Sequence, residues 1–312
     1  MLNNIKKSQL FPLLLLFVFL LISVIAASIA NSQENPPEQE PVAVPGEYAG
    51  SEECAACHED QAKSVIHTAH DSNAFRERTD KGCEGCHGPG KAHVDSGGDA
   101  TLIGSIKKMS AKAANDICLT CHEMGKQTHW KGSVHDMRGL ACTACHSVHA
   151  AKSEKSQLKF ALVDQVCAGC HLDVKSQIQR TSHHPIRERL MSCNDCHNPH
   201  GTLTPKMIMA NSVNEQCYSC HTEKRGPFLW DHPPVREDCL SCHLPHGSNH
   251  EKLLAQNRPW LCQNCHLDTR HPGTLYDATN RLTSNRELAR SCSNCHSAIH
   301  GSNHPSGRVF TR

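Results

Sequence analysis

The 312-residue chain is 38% hydrophobic but only 4% aromatic, so it is short of the side chains that normally fill a core. Its formal charge of +1 shows no basic excess, so a nucleic-acid-binding reading has no support. Twenty cysteines and 25 histidines are the excess to be explained.

The chain opens as a targeting segment. Lys6 and Lys7 precede an apolar run from Leu10 to Ala30, and Ser28-Ile29-Ala30 supplies small residues for cleavage. Residues 1–30 are expected to be a signal peptide. A retained anchor is the other reading, because the run is long enough to span a bilayer. Residues 31–50 form a linker with Pro36, Pro37, Pro41 and Pro45, expected to be extended. The body, 51–312, is expected to divide into two halves near residue 190.

The body is built on one phrase, Cys-x-x-Cys-His. It occurs first as Cys54, Cys57 and His58, then as Cys83, Cys86 and His87. It returns at Cys118, Cys121, His122; at Cys142, Cys145, His146; and at Cys167, Cys170, His171. The second half carries Cys193, Cys196, His197; Cys217, Cys220, His221; and Cys239, Cys242, His243. Cys262, Cys265, His266 and Cys292, Cys295, His296 complete ten copies, which use every cysteine. This is the c-type haem attachment signature. Two thiols one helical turn apart add to the two vinyl groups of one porphyrin, and the adjoining histidine reaches the iron. Zinc sites need no histidine after every second cysteine, and disulfide frameworks keep no fixed gap. Ten covalent haems are expected, on roughly 28 residues each, too few for separate hydrophobic cores. The porphyrins therefore form the core, and their propionates make the assembled protein acidic.

Regular structure is expected to be sparse. Helices are expected over Glu59–Arg78, Ile106–Ile117 and Arg286–Ser291, in much coil with essentially no sheet. The fold class is a multihaem cytochrome c: elongated, mostly coil with short helices, its core formed by stacked haems.

The fifteen histidines outside the motifs show a two-motif repeat. Odd-numbered motifs are followed at a distance by His70, His135, His184 and His232, and at closer range by His271. Even-numbered motifs are followed almost at once by His93, His149, His200, His246 and His300. These ten are the expected second axial ligands. His-x-x-His places two histidines too close to take opposite faces of one iron, so the close histidine is expected to serve a neighbouring haem. Which histidine serves which iron is open, with His70 expected within the first pair. His67, His129, His183, His250 and His304 fall outside the scheme. His304 could replace His300, and His183 could exchange with His184. The methionines, such as Met109 and Met124, are read as packing.

The stretches SVNEQCYSCHTEKRGPFLWDHPPV, from Ser212 to Val235, and SCSNCHSAIHGSNHPSG, from Ser291 to Gly307, carry more than haem ligands. With the motif count and the paired repeat, they resemble the MtrA/DmsE/PioA family of periplasmic decahaem cytochromes, over roughly residues 51–312. The resemblance supports the ten distal positions above and also includes His304. It implies a conduit inside a large outer-membrane β-barrel of the MtrB/PioB/DmsF type. It also implies an outer-surface multihaem cytochrome or reductase as partner, and a periplasmic or inner-membrane cytochrome donor. Bis-histidine iron has no open position, so electron transfer is expected and catalysis is not. Two alternatives stand: a multihaem reductase with one open haem site, and a soluble periplasmic shuttle.

Overall fold

The computed structural model describes residues 46–72, 81–153, 156–266 and 292–310. The apolar leader, most of the linker, His271 and the helix expected over 286–291 lie outside the described residues.

Most helices are short because they bury no face that would prolong them; the longest described, Ala111–Leu119, is the one that buries Ala113, Ala114, Asn115 and Leu119. Among the described residues there are twelve short α-helices, ten 3-10 turns and no strand, joined by coil. The helix Ala111–Leu119 begins where the Ser110 side chain accepts from the N–H of Ala113. The expected helix over Ile106–Ile117 is therefore split, with a 3-10 turn, Ile106–Lys108, before Ser110. The helix expected to run from Glu59 to Arg78 ends at Val65. Ile66 turns extended, His67 has φ 67°, and Thr68 caps a 3-10 turn over Ala69–Asp71. A hydroxyl bonding its own backbone competes with the helix, and no burial compensates.

Polypeptide alone makes almost no core. The buried hydrophobic side chains among the described residues are Ala113, Ala114, Leu119, Trp130, Ile178 and Leu254. Meanwhile Leu203 is 89% exposed and Leu190 79%.

What the chain builds instead is a repeat of five units, each holding one odd and one even motif. Within a unit the even motif is followed by a loop that returns antiparallel to it. His146 bridges to Leu158, His197 to Ile208 and His243 to Leu254. Each return passes through two left-handed residues: Ser156 and Gln157, Lys206 and Met207, Lys252 and Leu253.

Successive units dock in a fixed register. Ser182, two residues before His184, exchanges two backbone hydrogen bonds with Ser248, two after His246. Trp230, two before His232, does the same with Ser302, two after His300. At the equivalent earlier junction, Gly201 approaches so closely that a Cβ there would lie 2.2 Å from the His129 carbonyl oxygen. Asn198 Nδ2 also donates to Lys126 O at 2.8 Å. Such nearest-neighbour packing is the pattern of a one-dimensional array. The boundary expected near residue 190 falls inside the third unit, between Cys167 and Cys193, where the helix Val163–Cys167 packs against the turn Cys193–Asp195.

Candidate functional site: paired histidines

The histidines of the even-numbered motifs are held by the backbone. The ring Nδ1 of His87 lies 3.0 Å from Gly104 O, and that of His146 2.6 Å from Ser156 O. His197 meets Lys206 O at 2.9 Å, His243 meets Lys252 O at 2.8 Å, and His296 meets Val309 O at 2.5 Å. A carbonyl only accepts, so Nδ1 carries the proton and Nε2 keeps the lone pair. This is how proteins fix a metal-binding imidazole. The left-handed return loop supplies three of these carbonyls, which explains its strained geometry.

The distal candidates are held across unit junctions. His135 Nδ1 donates to Pro199 O at 2.8 Å, and His184 Nδ1 to Pro245 O at 2.7 Å. Pro199 and Pro245 immediately precede His200 and His246. Close and distant histidines thus meet at each such junction. His93 Nδ1 donates to Asp99 O at 2.9 Å.

Nine pairs of rings then face each other at nearly one separation. His58 faces His93 at 6.2 Å, His87 faces His149 at 6.2 Å, and His122 faces His70 at 6.0 Å. His146 faces His200 at 6.0 Å, His171 faces His135 at 6.1 Å, and His197 faces His246 at 6.0 Å. His221 faces His184 at 6.3 Å, His243 faces His300 at 6.2 Å, and His266 faces His232 at 6.1 Å. Two metal–imidazole bonds of about 2 Å, with about 1 Å more from each nitrogen to its ring centre, put the centroids roughly 6 Å apart. The residues therefore fit one iron between each pair. His70, expected within the first pair, faces the third motif instead.

The pairing has a rule. At each junction the distant histidine of one unit reaches forward to the odd motif of the next. The close histidine of that next unit reaches back to the even motif of the first. The first motif has no unit before it, and His58 takes His93 from its own unit.

The remaining histidines are occupied differently. His183 Nδ1 donates to Arg180 O at 2.6 Å, and its Nε2 meets Glu188 Oε1 at 3.2 Å. His304 Nδ1 accepts from Ser306 N at 3.1 Å, the wrong tautomer for an Nε2 ligand. Burial pushes the His200 and His300 rings down to about 4, aided by His146 on the first and Lys224 on the second. Both stay neutral at pH 7, as ligation requires.

The cysteines give the order of the sites. First cysteines act on one another within a unit: Cys54 with Cys83, Cys118 with Cys142, Cys167 with Cys193, Cys217 with Cys239 and Cys262 with Cys292. Second cysteines interact between units: Cys86 with Cys121, Cys145 with Cys170, Cys196 with Cys220 and Cys242 with Cys265. The two contacts alternate from the first motif to the tenth.

Some contributors carry no motif. Trp130, 6% exposed, lies 6.2 Å from the His200 ring, and Phe310 lies 5.5 Å from His232. Glu84, inside the second motif, is 3% exposed and accepts from the N–H groups of Ala49, Gly50 and Gly90. Spacing alone does not reveal them.

Covalent haem attachment at ten regularly ordered sites, with axial histidines prepared by the backbone, defines a multihaem c-type cytochrome, an electron carrier. Sequence comparison agrees. A family described as the doubled CXXCH motif matches residues 183–226 and 232–271, and one described as cytochrome c-type protein NrfB-like matches 83–159. The chain belongs to the MtrA family of multihaem cytochromes. It is 37% identical to multiheme cytochrome MtrA of Shewanella baltica (strain OS185), with 99% of each chain covered. Cytochrome c-type protein NrfB of Escherichia coli O6:H1 is 28% identical over 30% of this chain and half of its own.

Proposed function

We propose that the protein is a ten-haem wire between the periplasm and the cell exterior, seated inside an outer-membrane β-barrel. The observation that supports this reading most is the alternating cysteine contact, which runs from the first motif to the tenth without a gap. Each haem, when bound, supplies one reversible one-electron site.

In this reading the twenty cysteines would hold the porphyrins, and the two histidines of each facing pair would hold one iron, which would supply electron transfer. By the same rule of pairing, His271 is the candidate partner for His296. An iron held by two such histidines would offer no position to a substrate. Where a backbone carbonyl accepts from Nδ1, as at His87, His135, His146, His184, His197 and His243, it would orient the imidazole and raise its basicity, favouring the oxidised metal and a low potential.

The expected partners are the barrel, an outer-surface multihaem cytochrome or extracellular reductase, and a periplasmic or inner-membrane cytochrome that exchanges electrons at the other end. Extracellular respiration of metals is one process such a wire serves. The test is co-expression with a candidate barrel, followed by reconstitution into vesicles holding a reduced dye inside. Oxidation by an external iron chelate only when both proteins are present is the expected result. Recovery solely in the soluble periplasmic fraction beside an expressed barrel would instead mark a shuttle.

A further inference from the structure

The residue three positions before the first cysteine of a unit has one task in three units. Ser51 Oγ accepts from Cys83 N at 3.2 Å, Asn115 Oδ1 from Cys142 N at 2.7 Å and Asn214 Oδ1 from Cys239 N at 2.8 Å. Asn115 and Asn214 are buried, and their amide nitrogens donate to Leu140 O and to Val235 O and Arg236 O. Each such residue clasps the even motif of its unit to the odd one.

In the third unit this place is taken by Asp164. Its helix, Val163–Cys167, packs against the turn Cys193–Asp195, as Ala111–Leu119 packs against Cys142–Cys145. A carboxylate has no N–H to give, so the two-way clasp cannot form. The Asp164 side chain makes no hydrogen bond or salt bridge among the described residues. It is half-buried, and its charge acts on Cys167 and Cys193, the two attachment points of this central pair.

We propose that Asp164 sets the potential of the fifth and sixth haems. A fixed negative charge acting on Cys167 and Cys193 favours ferric iron, which carries one more positive charge than ferrous iron, and so lowers both potentials. The amide of the second unit exerts no such pull; in the fourth unit Asn214 exerts none, and the carboxylate acting on Cys217 and Cys239 is that of Asp238, next to Cys239. The fifth unit carries the opposite sign nearby: Arg258, beside Cys262, bonds Ser293 next to Cys292.

The inference rests on the histidine pairing proposed above. Its test is a potentiometric titration, followed in the haem bands, of full-length haem-loaded protein. Asp164→Asn should move a two-electron segment of the curve upward, by about tenfold in the reduction equilibrium, or 59 mV per electron, and leave the rest in place. Asp164→Glu, which keeps the charge, should leave the whole curve unmoved, and Asn115→Asp should move a different segment downward. An unchanged Asp164→Asn curve overturns the proposal. So does an equal shift in Asp164→Glu, or high-spin iron appearing in Asp164→Asn, since either marks a structural role. High-spin iron in the unsubstituted protein would instead sink the pairing itself.

Discussion

His149 stacks on His87, with ring centroids 6.2 Å apart and an interplanar angle of 27°, although His149 follows another motif two places further along the chain. The nearer candidate, His93, faces His58. Sequence distance is thus a poor guide to which histidines share an iron.

Removing a distal histidine should therefore expose iron in a different unit from its own. His135→Ala should leave the iron at His171 high-spin, with no change at His122. Electron paramagnetic resonance of the oxidised variant, repeated after disabling the third or fifth motif, separates the two. High-spin signal that disappears with the third motif would contradict the pairing.

The ring planes fall into two groups. The pairs at His122, His171 and His221 are crossed at 69°, 57° and 48°, while the pairs at His58, His87, His146, His197, His243 and His266 lie within 30°. Crossed and parallel imidazoles split the iron d orbitals differently. Two classes of low-spin ferric signal are expected, and His135→Ala should diminish the crossed class. A single homogeneous class would contradict this grouping.

The clasp residues should carry stability. Asn214→Ala removes an acceptor for Cys239 N and a donor to two carbonyls. Leaving these buried groups unsatisfied should cost about 2–4 kcal/mol. Thermal unfolding of the haem-loaded protein measures the loss, and a change within error would remove the clasp from the account.

Glycines at the junctions should be far less replaceable than glycines elsewhere. Gly201 has φ 108° and would place a Cβ 2.2 Å from His129 O, whereas Gly139, at φ 69°, has nothing within 4 Å of that position. Gly201→Ala should cost about 3 kcal/mol through strain and displaced backbone. Gly139→Ala should cost about 1 kcal/mol, from its left-handed backbone alone. Denaturation midpoints of the two variants give the comparison.

If the units are interchangeable, an interior one can be excised in register. Deleting Cys167 to Gln216 joins Val166 to Cys217 and removes two motifs with His184 and His200. His135 is then expected to face His221, and His246 to face His146. The shortened protein should hold eight haems, all low-spin, by mass spectrometry and spin resonance. Two high-spin irons would mean that the units are not equivalent.

The motifs and the coil-rich fold were legible because covalent chemistry fixes the spacing of Cys-x-x-Cys-His whatever the surroundings. The distal candidates stood out because few other roles require so many histidines. Their partners were not legible, because His70 and His122 are brought together by docking between units, which leaves no local pattern. The clasp escaped for another reason. Ser51, Asn115 and Asn214 share a position but not a residue type, and only the bond to the next motif reveals the common task. The long helix expected after His58 failed because it had no buried stripe to sustain it. Its sequence holds no glycine or proline, but Thr68 caps a separate turn and ends it.

The exchange of histidines between neighbouring units also bears on why so small a buried core suffices. An iron held by His87 and His149 closes a chain loop that would otherwise be open, and each successive junction closes two more that overlap the last. Such closures act on the unfolded ensemble, removing configurations that a free chain would explore. Stripped of metal, the protein should lose cooperative folding altogether, since Ala113, Trp130, Ile178 and their few companions cannot offset the entropy of ordering the chain. The same bonds that define where electrons rest would then be the ones that keep the polypeptide from coming undone.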